Sequence, residues 1–203
     1  MEKPAYTIQE VLPTISEVVG LLTDRDLKVE VCGAYRRGLP TIDRIDMVVS
    51  PPITAALACL QESETLVLSG ASHSVKGSLV SRVKLAINDI DFMLYRAELE
   101  YWGAMTLHAT GNMNFNIAIQ ARAKTLHYQL NRYGLWFHGD RIGGKTEEQI
   151  FYALDMEYIE PQQRNVNSRQ ETGGLFNVSS DWSENAESDD PEDNPEDGDG
   201  AEE

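Results

Sequence analysis

Cysteine is scarce: two occur in 203 residues, too few for the disulfide framework of a small secreted scaffold. Cys32 ends an alternating strand and Cys59 lies in an Ala- and Leu-rich helix, so both read as buried free thiols in a reducing compartment. No apolar run approaches a membrane span, and Met1-Glu2-Lys3-Pro4 lacks the apolar stretch of a secretory leader. The expectation is a soluble intracellular protein, in the nucleus or a host cytoplasm. The four histidines, His73, His108, His127 and His138, have no ligand spacing with the cysteines, which argues against a zinc site. Positive charge is absent from residues 181–203, which hold twelve Asp or Glu and almost no large apolar side chain. Such a segment buries too little to offset its ordering entropy and reads as a disordered acidic tail. It carries most of the net charge of −16, leaving about −4 on residues 1–180.

The remainder has an α+β order. Thr7-Ile8-Gln9-Glu10 is a capping box, and Ile8, Val11, Ile15, Val18, Val19 and Leu22 follow at helical spacing. Residues 28–33 and 45–50 read as strands, the second apolar enough to be central. Pro51-Pro52 ends it before a short helix over 54–60. Further strands over 65–68, 74–79 and 82–95 complete a mixed sheet of about five. Residues 97–107 and 113–127 are helical in pattern, 128–137 reads as a hairpin, and Thr146-Glu147-Glu148-Gln149 caps a last helix to Leu154.

The chemistry concentrates where the first strand meets the second. Gly33-Ala34-Tyr35-Arg36-Arg37-Gly38 is a glycine-bounded turn with two cations, and Asp46 follows on the next strand. Backbone amides at Gly33 and Gly38 suit an anion, and Arg36 lies on the other face from Arg37. Val31–Gly38 closely resembles the phosphate-binding turn of family X DNA polymerases, the group of polymerase beta and terminal transferase. Gly103-Ala104-Met105, Thr110-Gly111-Asn112 and Phe115-Asn116 resemble that family's nucleotide-pocket helix and turn. Leu130–Leu135, Thr146–Phe151 and Tyr158–Pro161 resemble its thumb. The resemblance spans residues 7–164 and implies a nucleotidyltransferase palm over 1–108, a thumb over 109–165, and a linker and acidic disordered tail over 166–203.

It also implies roles. Family X catalysis uses two Mg²⁺ ions (Mn²⁺ can substitute) held by carboxylates at i and i+2 on one strand and a third on its neighbour. Here Asp46 fills the i+2 position, Asp91 the third, and Arg44 stands at i. Arg44 is expected to pair with the acids and occupy the space of a metal. Asp43 is a further candidate ligand, but three residues before Asp46 it has the wrong parity and reads as a turn residue unless a bulge rotates it. Gly33, Ala34 (where the family usually has serine), Arg37, Gly38, Gly111, Asn112 and Asn116 would bind the nucleotide. His108 and Ala109 stand where the family often has aromatics, and Gln120 where it has an arginine. Arg122, Lys124 and Arg132, in a stretch with five cations and one acid over 110–145, are candidate DNA contacts.

Three functions remain open: nucleotidyl transfer at DNA 3′ ends or short gaps in repair, a catalytically degenerate module binding DNA ends or nucleotides, and a scaffold. The expected partners are DNA and deoxynucleoside triphosphate, the expected state a monomer. Another chain supplying the family's missing N-terminal regions would complete it.

Overall fold

The computed structural model describes residues 5–76 and 79–167; the expected acidic tail lies outside the described residues. Strand β1 (Tyr6–Thr7) leads into helix α1 (Ile8–Thr23) through the expected capping box, the Thr7 backbone and hydroxyl both donating to Glu10. Val11, Ile15, Val18 and Leu22 bury one stripe of α1, and Pro13 sits on its exposed side. Then follow β2 (Val29–Val31), a single turn α2 (Gly33–Arg36), β3 (Thr41–Ile42), β4 (Ile45–Val49) and α3 (Ile53–Gln61). All five residues of β4 are buried, as its apolar sequence required of a central strand.

The sheet continues through β5 (Leu68–Lys76), β6 (Leu79–Ile87) and β7 (Ile90–Arg96), in the order β2-β4-β7-β6-β5. β4 and β7 run parallel; the other neighbours are antiparallel. The stretch 82–95, expected as one strand, is a hairpin half on each side of Asn88-Asp89. Both residues have positive φ, 50° and 65°, a conformation Asn and Asp tolerate in tight hairpin turns. Apolar residues on both flanks hid that turn.

One face of the sheet packs with α1 and α3 around Ile45, Met47, Phe92 and Leu94. On the other face Val48, Tyr95 and Cys32 meet α4 (Trp102–Thr110), which follows a 3-10 turn at Leu99–Tyr101. A second main core lies among α4, α5 (Met113–Thr125), strands β8 (Gln129–Asn131) and β9 (Gly134–Phe137), and α6 (Glu147–Ala153), while β10 (Asp140–Gly143) pairs antiparallel with β9 at the edge of that sheet. The third strand of that sheet was not foreseen: its own residues are mostly exposed and carry no apolar alternation. α4 is buried almost all round because it is wedged between the cores. At Gly103 an added Cβ would lie 2.2 Å from the Thr146 carbonyl carbon. The Gly103 and Ala104 amides donate to the carbonyls of Lys145 and Gly144, so the helix start is satisfied by the loop it touches.

Candidate functional site

The turn α2 stands on Asp46. Gly33 has φ +61°, and a Cβ there would fall 2.3 Å from Asp46 Oδ2, so only glycine lets the turn close onto this carboxylate. Asp46 is 6% exposed. Its Oδ1 lies 3.0 Å from Arg44 Nε and accepts from the Tyr95 hydroxyl at 3.5 Å. The guanidinium contact is a close charge pair rather than a linear hydrogen bond, because the buried Nε–H does not point at the oxygen. Burial pushes the Asp46 carboxyl above its ordinary pKa, while Arg44 and then Arg37 pull it back. Arg44 therefore pairs with Asp46 as its position implied.

Arg37 reaches over the turn. Its Nε donates to Asn165 Oδ1 at 2.8 Å and its Nη1 to the Thr110 carbonyl, while Asn165 Nδ2 donates back to the Arg37 carbonyl at 3.1 Å. Arg36 faces the other way, as expected. It makes two bonds to Glu147, at 2.7 and 3.0 Å, and a third to Thr110 Oγ1. Arg164, fully buried, adds a 2.6 Å bond to Glu147, and Tyr158 donates to it at 2.9 Å. Burial alone would raise the Glu147 pKa, but the two guanidinium groups hold it below its ordinary value.

Between α2, β4 and the start of α5 opens a cavity of about 310 Å³. It is lined by Ala34, Arg37, Asp43, Arg44, Asp46, Gly111, Asn112 and Asn116, together with Tyr95, His108, Met113 and Gln120. Asn116 Nδ2 donates to the His108 carbonyl at 2.9 Å, which leaves its buried Oδ1 without a hydrogen-bond partner among the described residues. Asn112 caps α5 by accepting from the Phe115 amide and donates to the Val166 carbonyl. Its side chain is thus spent on structure.

Several expected site residues fall elsewhere. Asp91 shares the sheet face of Asp46 but lies one pleat away: Met93 is the register partner of Asp46. Strand geometry separates the two aspartates by roughly 8 Å at Cα. Asp91 pairs instead with Lys84 at 3.8 Å and does not line the cavity. Gly33 is behind Asp46, and Gly38 is exposed beside Gln162, outside the cavity. Asp43 is exposed, as a turn residue would be, yet it lines the cavity mouth. Arg132 is 4% exposed, its guanidinium 5.3 Å from the Tyr133 ring, so it presents no surface to a duplex. Arg122 is half-buried, with Nε on the Leu154 carbonyl at the end of α6. Lys124 is exposed.

The donor set does not fit a two-magnesium centre. Each ion would take hard oxygens at about 2.1 Å, whereas Asp46 is neutralised by Arg44, Met93 stands beside it, and Asp91 is turned to Lys84. Among the described residues no three His, Cys, Asp or Glu side chains are grouped to hold a metal ion. Tyr95 and Asn165 are the parts that sequence reading missed. Tyr95 has the parity of Met93, two residues on, and could have been found from the register; nothing in the sequence marks Asn165.

Residues 105–165 match the family model of the DNA polymerase beta thumb. That stretch is similar to a polymerase beta thumb. DNA polymerase IV of Saccharomyces cerevisiae is 30% identical over 70 residues, which cover 34% of this chain and 12% of the yeast protein. The chain thus spans about an eighth of the length of that relative. The matched thumb takes in α4 from Met105, α5, the three-stranded sheet and α6, and ends at Asn165, whose amide grips Arg37. No helix among the described residues is long and apolar enough to cross a membrane.

Proposed function

We propose that this chain is a catalytically degenerate nucleotidyltransferase module of the family X kind, binding a nucleotide or a DNA end without efficient turnover. Residues 1–108 act as palm and 109–165 as thumb. Arg37, Gly111 and Asn116 receive the nucleotide, Asp46 and Arg44 form the floor, and Lys124, exposed on α5, is a candidate contact to DNA phosphate. The observation that carries the reading is the Arg44–Asp46 pair at 3.0 Å, on the cavity floor where a metal would be held. The setting it suits is DNA repair inside the cell. Primer extension on DNA with a one-nucleotide gap, in Mg²⁺ and in Mn²⁺, tests it beside gel-shift and nucleotide titrations. The expected result is binding without product above background. Product that disappears in Asp46→Ala refutes degeneracy.

One observation favours the active enzyme as a second reading. Asp43 lines the same cavity as Asp46 and contributes negative charge there. If it replaced the carboxylate lost at Arg44, weak transfer at 3′ ends would follow, with Mg²⁺ or Mn²⁺, and would be lost in Asp43→Asn. Binding of neither nucleotide nor DNA would leave a scaffold.

A further inference from the structure

We infer that the cavity binds nucleotide phosphate without a divalent cation, Arg44 supplying positive charge that magnesium supplies elsewhere. The inference rests on the cavity being a nucleotide site, and it concerns how that site is charged.

Exchanging a carboxylate for a guanidinium at one position changes the local charge by two units, as much as adding one Mg²⁺. A centre of three carboxylates and two Mg²⁺ carries a net charge of about +1. The corresponding side chains here, Arg44, Asp46 and Met93, carry zero, and Arg37 and Asp43, which also line the cavity, add one charge of each sign. Metal-free, the same wall with three carboxylates would be strongly negative and would repel a triphosphate. The chain therefore reaches a phosphate-tolerant balance with its own side chains.

The geometry agrees. Arg44 meets Asp46 through Nε, and its side chain is 35% exposed against 8% for Asp46, so part of the Arg44 side chain stays accessible. Arg37 uses Nε and one Nη1 bond on Asn165 and Thr110; a guanidinium has five N–H groups, leaving donors for an anion. Burial also lowers the pKa of Arg37, with Asp46 and Asp43 opposing the shift and Arg44 adding to it. Asn116 also lines the cavity, and its buried Oδ1 is an unbonded acceptor for a base or sugar N–H or O–H once the side chain turns toward a ligand. Two cations and an unbonded amide acceptor on one cavity match a nucleotide better than free phosphate.

The test is calorimetric titration of the full chain with dATP, once in EDTA and once in Mg²⁺, with inorganic triphosphate and a 5′-phosphorylated DNA end as separate arms. The expected result is a dATP Kd in EDTA within about threefold of that in Mg²⁺. In EDTA, Arg44→Ala should weaken binding tenfold or more and Arg44→Lys much less, with unchanged circular dichroism. Binding seen only with Mg²⁺, or an Arg44→Ala affinity equal to that of the parent, overturns the inference and leaves the nucleotide site standing. No dATP binding in either buffer overturns the nucleotide site itself. Binding of triphosphate as tight as dATP would place recognition in the phosphates and remove the role given to Asn116.

Discussion

Replacing Glu147 by glutamine should destabilise the chain by about 3–5 kcal/mol, the usual cost of removing one partner from a buried ion pair. Glu147 is 5% exposed and accepts four hydrogen bonds: two from Arg36, one from Arg164 and one from Tyr158. Glutamine keeps the shape but turns an NH₂ toward a guanidinium and strips the compensating charge from Arg36 and Arg164. Arg164 has no water to retreat to, being fully buried with Phe115, Phe151 and Tyr158 rings each 5.4 Å from its carbon. At about 2–4 °C per kcal/mol for a chain of this size, the melting temperature should fall by about 6–20 °C. Urea unfolding of the single variants and of Glu147→Gln with Arg164→Met measures the effect and its coupling. The double variant should be more stable than the sum of the singles implies, because removing both partners leaves less charge stranded. A loss below about 1 kcal/mol, or strict additivity, would refute the claim that Glu147 is the shared counter-charge of Arg36 and Arg164.

The same carboxyl gives a pH dependence: its folded pKa lies below the ordinary 4.5, so its stabilisation is complete above that value and is lost as pH falls through the folded one. The stability gap between parent and Glu147→Gln should therefore narrow below about pH 4.5 in urea titrations run at several pH values. Gly33→Ala places a Cβ 2.3 Å from Asp46 Oδ2 at a positive φ; a loss of about 1–3 kcal/mol in urea unfolding is expected, with weaker dATP binding. Gly103→Ala meets backbone rather than a movable side chain, so its loss should reach about 3 kcal/mol or more and exceed that of Gly33→Ala; the reverse order would be wrong for this packing. Asn112→Ala removes the α5 cap, worth about 1 kcal/mol by thermal melting.

Much of the fold was legible because it follows local rules. The Thr7 and Thr146 caps, the buried run of β4 and the break at Thr110-Gly111-Asn112 each have a short-range physical signature. The count of five strands matched only because two errors cancelled: the expected strands 65–68 and 74–79 are replaced by β5, and 82–95 is split into β6 and β7, because a two-residue hairpin between apolar flanks mimics a continuous strand. Site residues were legible where one strand decided them: Arg44 and Asp46, two apart on one segment, meet as their parity demands. Asp91 was misplaced because its partner depends on the register between β4 and β7, which no local pattern states. A shift of one pleat substitutes Met93 for Asp91 without changing the face. Arg132 failed for a related reason: a run of cations marks a basic surface only if each cation is exposed, and exposure is tertiary.

The cavity does not depend on the carboxylates for its shape. The turn that forms its wall is anchored on both sides, by Arg36 to Glu147 and Thr110 and by Arg37 to Asn165 and the Thr110 carbonyl. None of these bonds uses Asp46, Asp91 or a metal. The floor is separately neutralised by Arg44, so no uncompensated charge is buried when metal is absent. A site built this way can exchange its ligand carboxylates for a guanidinium and a thioether and still fold around the same space. The fold thus holds a cavity of about 310 Å³ whose lining includes two arginines, two aspartates and one half-satisfied asparagine.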